Sequence, residues 1–309
     1  MHPVTRAALA ATAAGASGLA YASLVERNAF VLRRFEAPVL PAGQAPIRVL
    51  HLSDIHLMPR QQRKVAWVEA LTEERPDLIV NTGDNISHAD SVAVALRAFE
   101  AFEGVPGVFV LGSNDYFAPV PKNPARYLGP RFDQRRGTPT PLPTDDLVKG
   151  MLDLGWADLT NARAQLPVAG RQLEFAGVDD PHLQRDRYDL VAGPRAAGAD
   201  LLVGVTHAPY QRVLDAMTAD GAPLVIAGHT HGGQLCLPFY GALVTNCDLP
   251  TKQAKGLSRW WPGAGSQRGM PVPPDAAWLE VSAGLGTSPY APVRFACRPE
   301  ATLLTLTSA

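Results

Sequence analysis

The feature that most constrains the fold is a series of short apolar segments that alternate with amphipathic stretches. Segments 47–52, 77–80 and 107–111 predict strands, and residues 61–74 and 90–102 between them carry apolar side chains at helical spacing. Strands that alternate with helices are typical of α/β layers with parallel pairing. The first half of the chain is therefore predicted to form a parallel α/β sheet.

The later part of the chain carries further strand-like segments, several of them without an evident helix between them. They lie at 172–178, 200–205, 223–227, 277–282 and 301–307. Such spacing favours a second sheet with antiparallel edges. Two stretches, 118–143 and 239–275, are rich in Pro, Gly and Arg and are expected to be irregular.

Composition excludes some classes of function. The 309 residues carry a formal net charge of −1, so the chain is not a basic protein that grips nucleic acid through its phosphates, and no nucleic-acid partner is expected. The cysteines Cys236, Cys247 and Cys297 are odd in number and far apart, which predicts neither a disulfide framework nor a CxxC metal site.

The N-terminus is apolar. Residues 7–25 contain no charged side chain, which fits a signal peptide, a membrane anchor or an Ala-rich helix lying on the protein. We favour membrane association through the N-terminus, or export, over a plain cytoplasmic helix. The chain then divides into a hydrophobic leader or anchor with a linker, residues 1–45, and one domain, residues 46–309.

The predicted strands end in clusters of metal-ligand side chains. These are Asp54 with His56, Asp84, His207, and His229 with His231. In open α/β sheets, ligand sites form outside the carboxyl ends of the strands. Each cluster alone could equally be structural, but together they offer carboxylates and imidazoles and no thiolate. Such a mixed nitrogen and oxygen set predicts a site for Mn, Fe or Zn.

The order of the motifs resembles that of the calcineurin-like metallophosphoesterases. The motifs are Asp54-x-His56, Gly83-Asp84, Gly112-Ser113-Asn114-Asp115, His207 and Gly228-His229-Thr230-His231. Residues 228–234, Gly-His-Thr-His-Gly-Gly-Gln, are most similar to a bacterial single-domain branch whose members often carry an N-terminal hydrophobic segment. The resemblance implies a four-layer α/β/β/α sandwich with two mixed β-sheets.

The resemblance also implies a ligand set for two metal ions. Asp54, His56 and His231 would hold one metal, and Asp84 would bridge both. His207 and His229 would hold the second metal, together with an Asn from the family's Gly-Asn-His-Asp/Glu motif.

This sequence departs from that motif. Aligned without a gap, Ser113 takes the position of the ligand Asn, and Asn114 takes the position of the motif histidine, which is credited with helping the leaving group. An amide carbonyl is a better ligand than a neutral hydroxyl, so we predict Asn114 rather than Ser113 as the ligand. The predicted catalytic residues are Asp84, Asn114 and His207.

The implied activity is that of a hydrolase with two divalent or trivalent metal ions. A metal-bound hydroxide would attack a phosphodiester, pyrophosphate or phosphomonoester of a small molecule or lipid head group. One alternative is a non-catalytic module that keeps the fold and binds a phosphate or a partner. Another is a nucleotide phosphodiesterase, for which the sequence offers no recognisable base-reading pocket. Four arginines in the first irregular stretch would either meet phosphate or lie in solvent: Arg126, Arg131, Arg135 and Arg136.

Overall fold

A computed structural model describes residues 2–121, 139–267 and 269–309 of the chain. Its central feature is a pair of six-stranded β-sheets that pack face to face. The four arginines Arg126, Arg131, Arg135 and Arg136 lie outside the described residues.

The first sheet is built mainly from the N-terminal half of the chain. Its strands are β1 (Val31–Leu40), β2 (Ile47–Leu52), β3 (Leu78–Asn81), β4 (Gly107–Phe109), β5 (Ala157–Asp158) and β14 (Glu300–Ser308). Their order across the sheet is β1-β14-β2-β3-β4-β5. Strands β2 to β5 are parallel, and β14 is antiparallel to β2. The sheet is therefore mixed.

The second sheet comes from the C-terminal half. Its strands are β6 (Ala162–Val168), β7 (Arg171–Gly177), β8 (Leu201–Thr206), β9 (Leu224–Ala227), β12 (Gly256–Trp260) and β13 (Ala277–Val281). The order is β12-β13-β9-β8-β7-β6. The four inner strands are parallel, and both edge strands are antiparallel to their neighbours, as predicted. A separate hairpin pairs β10 (Cys236–Leu237) with β11 (Gly241–Ala242).

The described residues form six α-helices, four of which cover the outer faces of the two sheets. They are α1 (Pro3–Ala20), α2 (Gln62–Ala70), α3 (Val92–Glu100), α4 (Ser113–Tyr116), α5 (Thr144–Asp153) and α6 (Gln211–Ala219). Helices α2, α3 and α5 pack on the first sheet, and α6 packs on the second. Side chains alternate between the faces of a strand, so Ile47 and Val49 point between the sheets while Leu50 and Leu52 face the helices. The result is the predicted α/β/β/α sandwich.

Helix α6 lies between β8 and β9, in a segment for which the sequence predicted no specific element. One sequence-based expectation about elements was wrong. The stretch 239–275, expected to be irregular, contains β11 and β12. Both β12 and α6 are short, and a five-residue edge strand carries too few alternating positions to stand out from a loop.

Most of the N-terminal helical segment projects from the body, and its end near Ala22 and Glu26 is buried against it. Residues Val4–Asn28 form a continuous apolar helical segment that is long enough to cross a membrane, and only 6% of an apolar 18-residue window within it is buried. Such a segment suits a membrane anchor or a signal sequence. Strand β1 follows it, within the range predicted as linker, and pairs with β14 at the edge of the first sheet.

Candidate metal centre

The predicted metal ligands lie where parallel strands end. Asp54 and His56 follow β2, Asp84 follows β3, His207 follows β8, and His229 and His231 follow β9. Strands β2 and β3 belong to one sheet, and β8 and β9 to the other. The carboxyl ends of the two sheets therefore meet above the shared core, as expected for an α/β ligand site.

The backbone at these strand ends is strained. Five of the seven predicted site residues have a positive φ: Asp54 (47°), His56 (47°), Asp84 (54°), His229 (67°) and His231 (50°). This region is unfavourable for non-glycine residues, and such strain concentrates at functional sites. The turns hold the side chains in one place at a cost in local conformational energy.

A first group of side chains comprises Asp54, His56, Asp84 and His231. One ligand atom from each lies within 4.8 Å of the others. His56 Nε2 is 3.4 Å from Asp84 Oδ2, and His231 Nε2 is 3.5 Å from Asp54 Oδ1. The two Nε2 atoms are 3.2 Å apart. This geometry brings together the residues predicted for one metal and the predicted bridging carboxylate.

A second group of side chains also contacts Asp84. His207 Nε2 is 3.7 Å from Asp84 Oδ2, and His229 Nδ1 is 3.2 Å from His207 Nε2. Asn114 donates from its backbone to Asp84 Oδ1 at 2.7 Å and from its amide to Oδ2 at 2.8 Å. Asp84 is therefore shared between the two groups.

The ring orientations leave one nitrogen of each histidine for the centre. His207 Nδ1 donates to Thr82 O at 2.7 Å, and His231 Nδ1 lies 3.3 Å from both Gly286 O and Arg294 Nη2. His56 Nδ1 bonds Ser87 Oγ at 3.1 Å. A backbone carbonyl accepts but does not donate, so the Nε2 atom of His207 carries the lone pair in the neutral form. Fixing a ring through its other nitrogen is the usual way in which proteins orient a metal-binding histidine.

Burial keeps most of these rings neutral. Desolvation lowers the pKa values of His56 and His229, and it lowers that of His231 to about 3. Neutral imidazole is the form that binds metals. His207 differs: burial would lower its pKa, but the charges of Asp84, Asp180 and Asp54 and the Thr82 carbonyl raise it to about 9. A cation beside Asp84 would compete with that proton for the same negative charge.

The Asp84 carboxylate is held ionised. Burial opposes this, but His207, His56 and the two hydrogen bonds from Asn114 lower its pKa. Asp54 Oδ1 is buried and accepts no hydrogen bond from the residues that the structure describes, although its other oxygen accepts from His229 N at 2.9 Å. A buried carboxylate oxygen without a donor is costly unless a cation satisfies it. The residues present therefore fit a bound metal.

Asp115 supports the centre in a way that the motif did not reveal. Its carboxylate accepts hydrogen bonds from the backbone nitrogens of Asp84, Asn85 and Gly112, at 2.8, 2.7 and 3.0 Å. These bonds join the turn after β3 to the turn after β4. Burial and the nearby Asp84 charge raise the Asp115 pKa to about 7. Asp115 is a positioning residue for Asp84.

Two further residues lie near the centre. The buried Arg294 donates to the carbonyls of Ala283, Gly284 and Gly286 at 2.7–3.0 Å, and so shapes the loop that holds His231. His182 follows a turn capped by Asp180, and its ring centroid lies 4.6 Å from that of His229. Arg294 sits 63 positions after His231, so no local pattern could have linked them.

A family model described as calcineurin-like phosphoesterase matches residues 47–233. The chain belongs to the calcineurin-like phosphoesterase family. The matched range spans the seven predicted site residues, from Asp54 to His231. The family resemblance seen in the sequence is confirmed, and so is the prediction that the chain is a hydrolase.

Relatives of this calcineurin-like phosphoesterase cover most of its length. The uncharacterized metallophosphoesterase YkuE of Bacillus subtilis (strain 168) is 28% identical over 316 residues, which cover 98% of this chain and 93% of YkuE. The phosphodiesterase YaeI of Escherichia coli (strain K12) is 27% identical over 245 residues, 76% of this chain and 78% of YaeI. An uncharacterized metallophosphoesterase of Aquifex aeolicus (strain VF5) is 25% identical over 282 residues, 88% of each chain.

Enzymes of this family use divalent metal ions, and the Asp and His cluster described above is a potential metal-binding site. The phosphoesterase therefore acts on phosphorylated substrates. The individual ligands remain a prediction, as do the number and identity of the metals.

Proposed function

We propose that this chain is a phosphodiesterase that holds two metal ions and hydrolyses a phosphodiester of a small molecule or lipid head group. The observation that carries the proposal is the position of Asp84, whose Oδ2 lies 3.4 Å from His56 Nε2 and 3.7 Å from His207 Nε2. A carboxylate shared between two sets of ligands suits a pair of metal ions. The similarity to a protein named phosphodiesterase favours the diester over a pyrophosphate or a monoester.

In this proposal Asp54, His56 and His231 hold one metal, and His207, His229 and Asn114 hold the other. Manganese, iron and zinc all suit such nitrogen and oxygen ligands. When bound, the pair would polarise a water molecule and neutralise charge on the phosphoryl group.

The chain's own residues position these groups. Asp115 fixes the turn that carries Asp84 through backbone hydrogen bonds, and Thr82 fixes the ring of His207. Asn114 is preferred over Ser113 as the ligand because its side chain already reaches the Asp84 carboxylate. The amide contacts Asp84 through Nδ2, which leaves Oδ1 as the ligand atom.

The test is hydrolysis of an aryl phosphodiester by the full chain with Mn²⁺, with the aryl phosphomonoester as comparison substrate. Asp84→Asn removes the shared charge with little change in shape, and we expect a loss of turnover of at least about 100-fold. Asp90→Asn is the matched control because Asp90 is 80% exposed; it should retain turnover.

Two results would refute the proposal. The first is the absence of turnover of either ester by metal-loaded wild type, which would favour a non-catalytic module. The second is equal turnover by wild type and Asp84→Asn. Faster hydrolysis of the monoester than of the diester would replace the phosphodiesterase assignment with a phosphomonoesterase.

A further inference from the structure

The hairpin of β10 and β11 exposes large apolar side chains to solvent, although such side chains are usually buried in a protein that is surrounded by water. Cys236 and Ala242 face inward and are buried. The outward positions and the turn instead carry large apolar or aromatic residues, all about half to fully exposed: Leu235, Leu237, Phe239, Tyr240 and Leu243. We refer to these five residues as the hairpin face.

A hairpin packed on a core normally turns polar side chains to the solvent. Contiguous exposed apolar patches mark surfaces that bind a partner or a membrane. The hairpin face also lacks charge, since residues 235–247 contain no Asp, Glu, Lys or Arg. An uncharged surface of this kind suits an apolar or interfacial environment.

The hairpin face adjoins the end of the N-terminal helical segment. Leu235 forms a parallel bridge with Phe295, and Cys236 N donates to Phe295 O at 2.9 Å. The neighbouring Arg294 N donates to Ala22 O at 3.1 Å. Exposed Tyr21, Leu24 and Val25 flank Ala22. Exposed apolar residues of the hairpin and of the helix therefore lie on either side of Arg294 and Phe295.

The residues beside these apolar side chains suit the head-group region of a bilayer. Arg298 is exposed and donates to Ala29 O at 2.7 Å, and Arg27 donates to Pro292 O at 3.4 Å. Basic side chains next to an apolar surface are attracted to anionic lipids. Tyr240 and Tyr290 are also exposed, and tyrosine is enriched at membrane–water interfaces.

We propose that the hairpin face inserts into the head-group region of a phospholipid bilayer, beside the point where the N-terminal helix leaves the body. A bilayer accommodates both the hairpin face and the helix, of which only 6% is buried. A second copy of the chain seated on the hairpin face would leave the adjoining apolar helix in water.

Docking in this way brings the candidate metal centre to the membrane surface. Leu235 lies four residues after His231, and Tyr290 lies four residues after Gly286, whose carbonyl bonds the His231 ring. Resting on the proposed function, this placement makes the substrate the phosphodiester of a phospholipid head group.

The test uses full-length chain bound to vesicles of phosphatidylcholine and phosphatidylglycerol. Phe239→Cys is labelled with an environment-sensitive fluorophore; the three native cysteines are buried. Emission is expected to shift to the blue on addition of vesicles and to be quenched by spin-labelled lipid. The control is Leu152→Cys, on α5, which packs near the opposite edge of the first sheet from β1 and is 48% exposed. Its label should not shift.

A label at position 239 that shows no shift in vesicle-bound chain would overturn the proposal. So would a shift that appears without vesicles and grows with protein concentration, since that result indicates a second copy as the occupant. Hydrolysis of the soluble aryl diester and of vesicle phospholipid is measured in parallel. If the chain hydrolyses either substrate but the emission of the label at position 239 does not shift, only the membrane docking is refuted. If the emission shifts but neither substrate is hydrolysed, only the proposed function is refuted.

Discussion

At the scale of single residues, a buried chain of hydrogen bonds leads from the second sheet to the candidate metal centre. Glu280 of β13 bonds His51 Nδ1 at 2.5 Å, and His51 Nε2 bonds Thr82 Oγ1 at 2.8 Å. Thr82 Oγ1 then donates to Ser53 Oγ at 2.7 Å, and Ser53 donates to Asp54 Oδ2 at 2.5 Å. The orientation of Asp54 therefore depends on residues from both sheets.

We expect Ser53→Ala to weaken metal binding by about 10- to 100-fold while the chain stays folded, because removing a partner that orients a ligand has an effect of that size. Ser91→Ala is a matched control, since Ser91 Oγ is also buried and makes no hydrogen bond within the described part of the chain. The metal affinity of each variant is measured by competition with a fluorescent chelator. Equal affinities for the two variants would show that the chain of hydrogen bonds does not orient Asp54.

The altered Gly112–Asp115 motif carries a kinetic consequence. The histidine that the family is credited with using at the leaving group is replaced by Asn114, so the rate should fall steeply as the leaving-group pKa rises. The double variant Ser113→Asn with Asn114→His restores the family's motif and should flatten that dependence. The rate of hydrolysis is measured for a series of aryl phosphodiesters and plotted against the pKa of the leaving group, which gives the slope for each protein. A shallow slope in wild type, or the same slope in both proteins, would contradict this account.

Lys64 of α2 predicts a pH dependence of stability. Burial, with Arg294 and Arg27 nearby, lowers its pKa to about 7, and its Nζ donates to Ile55 O at 2.6 Å. Between about pH 7 and 10.5 the unfolded chain binds the proton that the folded chain has released. The free energy of unfolding should therefore rise with pH across this window, by at most about 1.4 kcal/mol per pH unit from this group.

Urea unfolding of the metal-free chain between pH 7 and 9.5 tests this contribution. In Lys64→Met, the free energy of unfolding should rise less steeply with pH than in wild type. In Lys149→Met it should rise as steeply as in wild type, because Lys149 is exposed and pairs with Asp153. If wild type and Lys64→Met show the same slope, Lys64 is charged in the folded chain throughout this range.

Most of these contacts could not be predicted from sequence. Asp54, His56, Asp84, His207, His229 and His231 were identifiable because each follows an apolar strand and the set has a recognisable order. The partners that hold them are far away in the chain: Glu280 is 229 positions from His51. Pairing of this kind follows from the layering of the sheets and leaves no local pattern.

At the scale of elements, buried strands were predictable and edge strands were not. Strands β2, β3 and β9 consist mainly of apolar residues and are almost entirely buried, because both faces of a parallel sheet are covered. Strand β1 instead carries Arg33, Arg34 and Glu36, and it contains Pro38. It therefore resembles a linker. It joins the sheet by pairing with β14, which lies almost at the other end of the chain.

This edge strand bears on the proposed domain boundary at residue 46. Ala37 and Leu40 of β1 are fully buried between the sheets. A chain that begins at residue 21 should unfold at nearly the same temperature as full-length protein. A chain that begins at residue 46 should lose at least about 2 kcal/mol of stability, since burial of one leucine contributes about that much. Calorimetry compares them, and equal melting temperatures would support the boundary at 46.

At the scale of the whole molecule, each of the two sheets supplies part of the candidate metal centre. The first sheet supplies Asp54, His56, Asp84 and Asn114 from the ends of β2, β3 and β4, and the second supplies His207, His229 and His231. The α/β class and a second sheet with antiparallel edges could be predicted from periodicity. The four-layer arrangement came from the family resemblance, because periodicity within segments does not specify how two sheets pack.

The proposed metal centre stands or falls with the number of metal ions that the chain binds. Mass spectrometry of the metal content, after dialysis of the full chain against Mn²⁺, measures this number directly. We predict two equivalents in wild type, one in His229→Ala, and fewer than one in Asp84→Asn, because Asp84 serves both groups. Two equivalents in Asp84→Asn, or one or none in wild type, would contradict a centre built around that carboxylate.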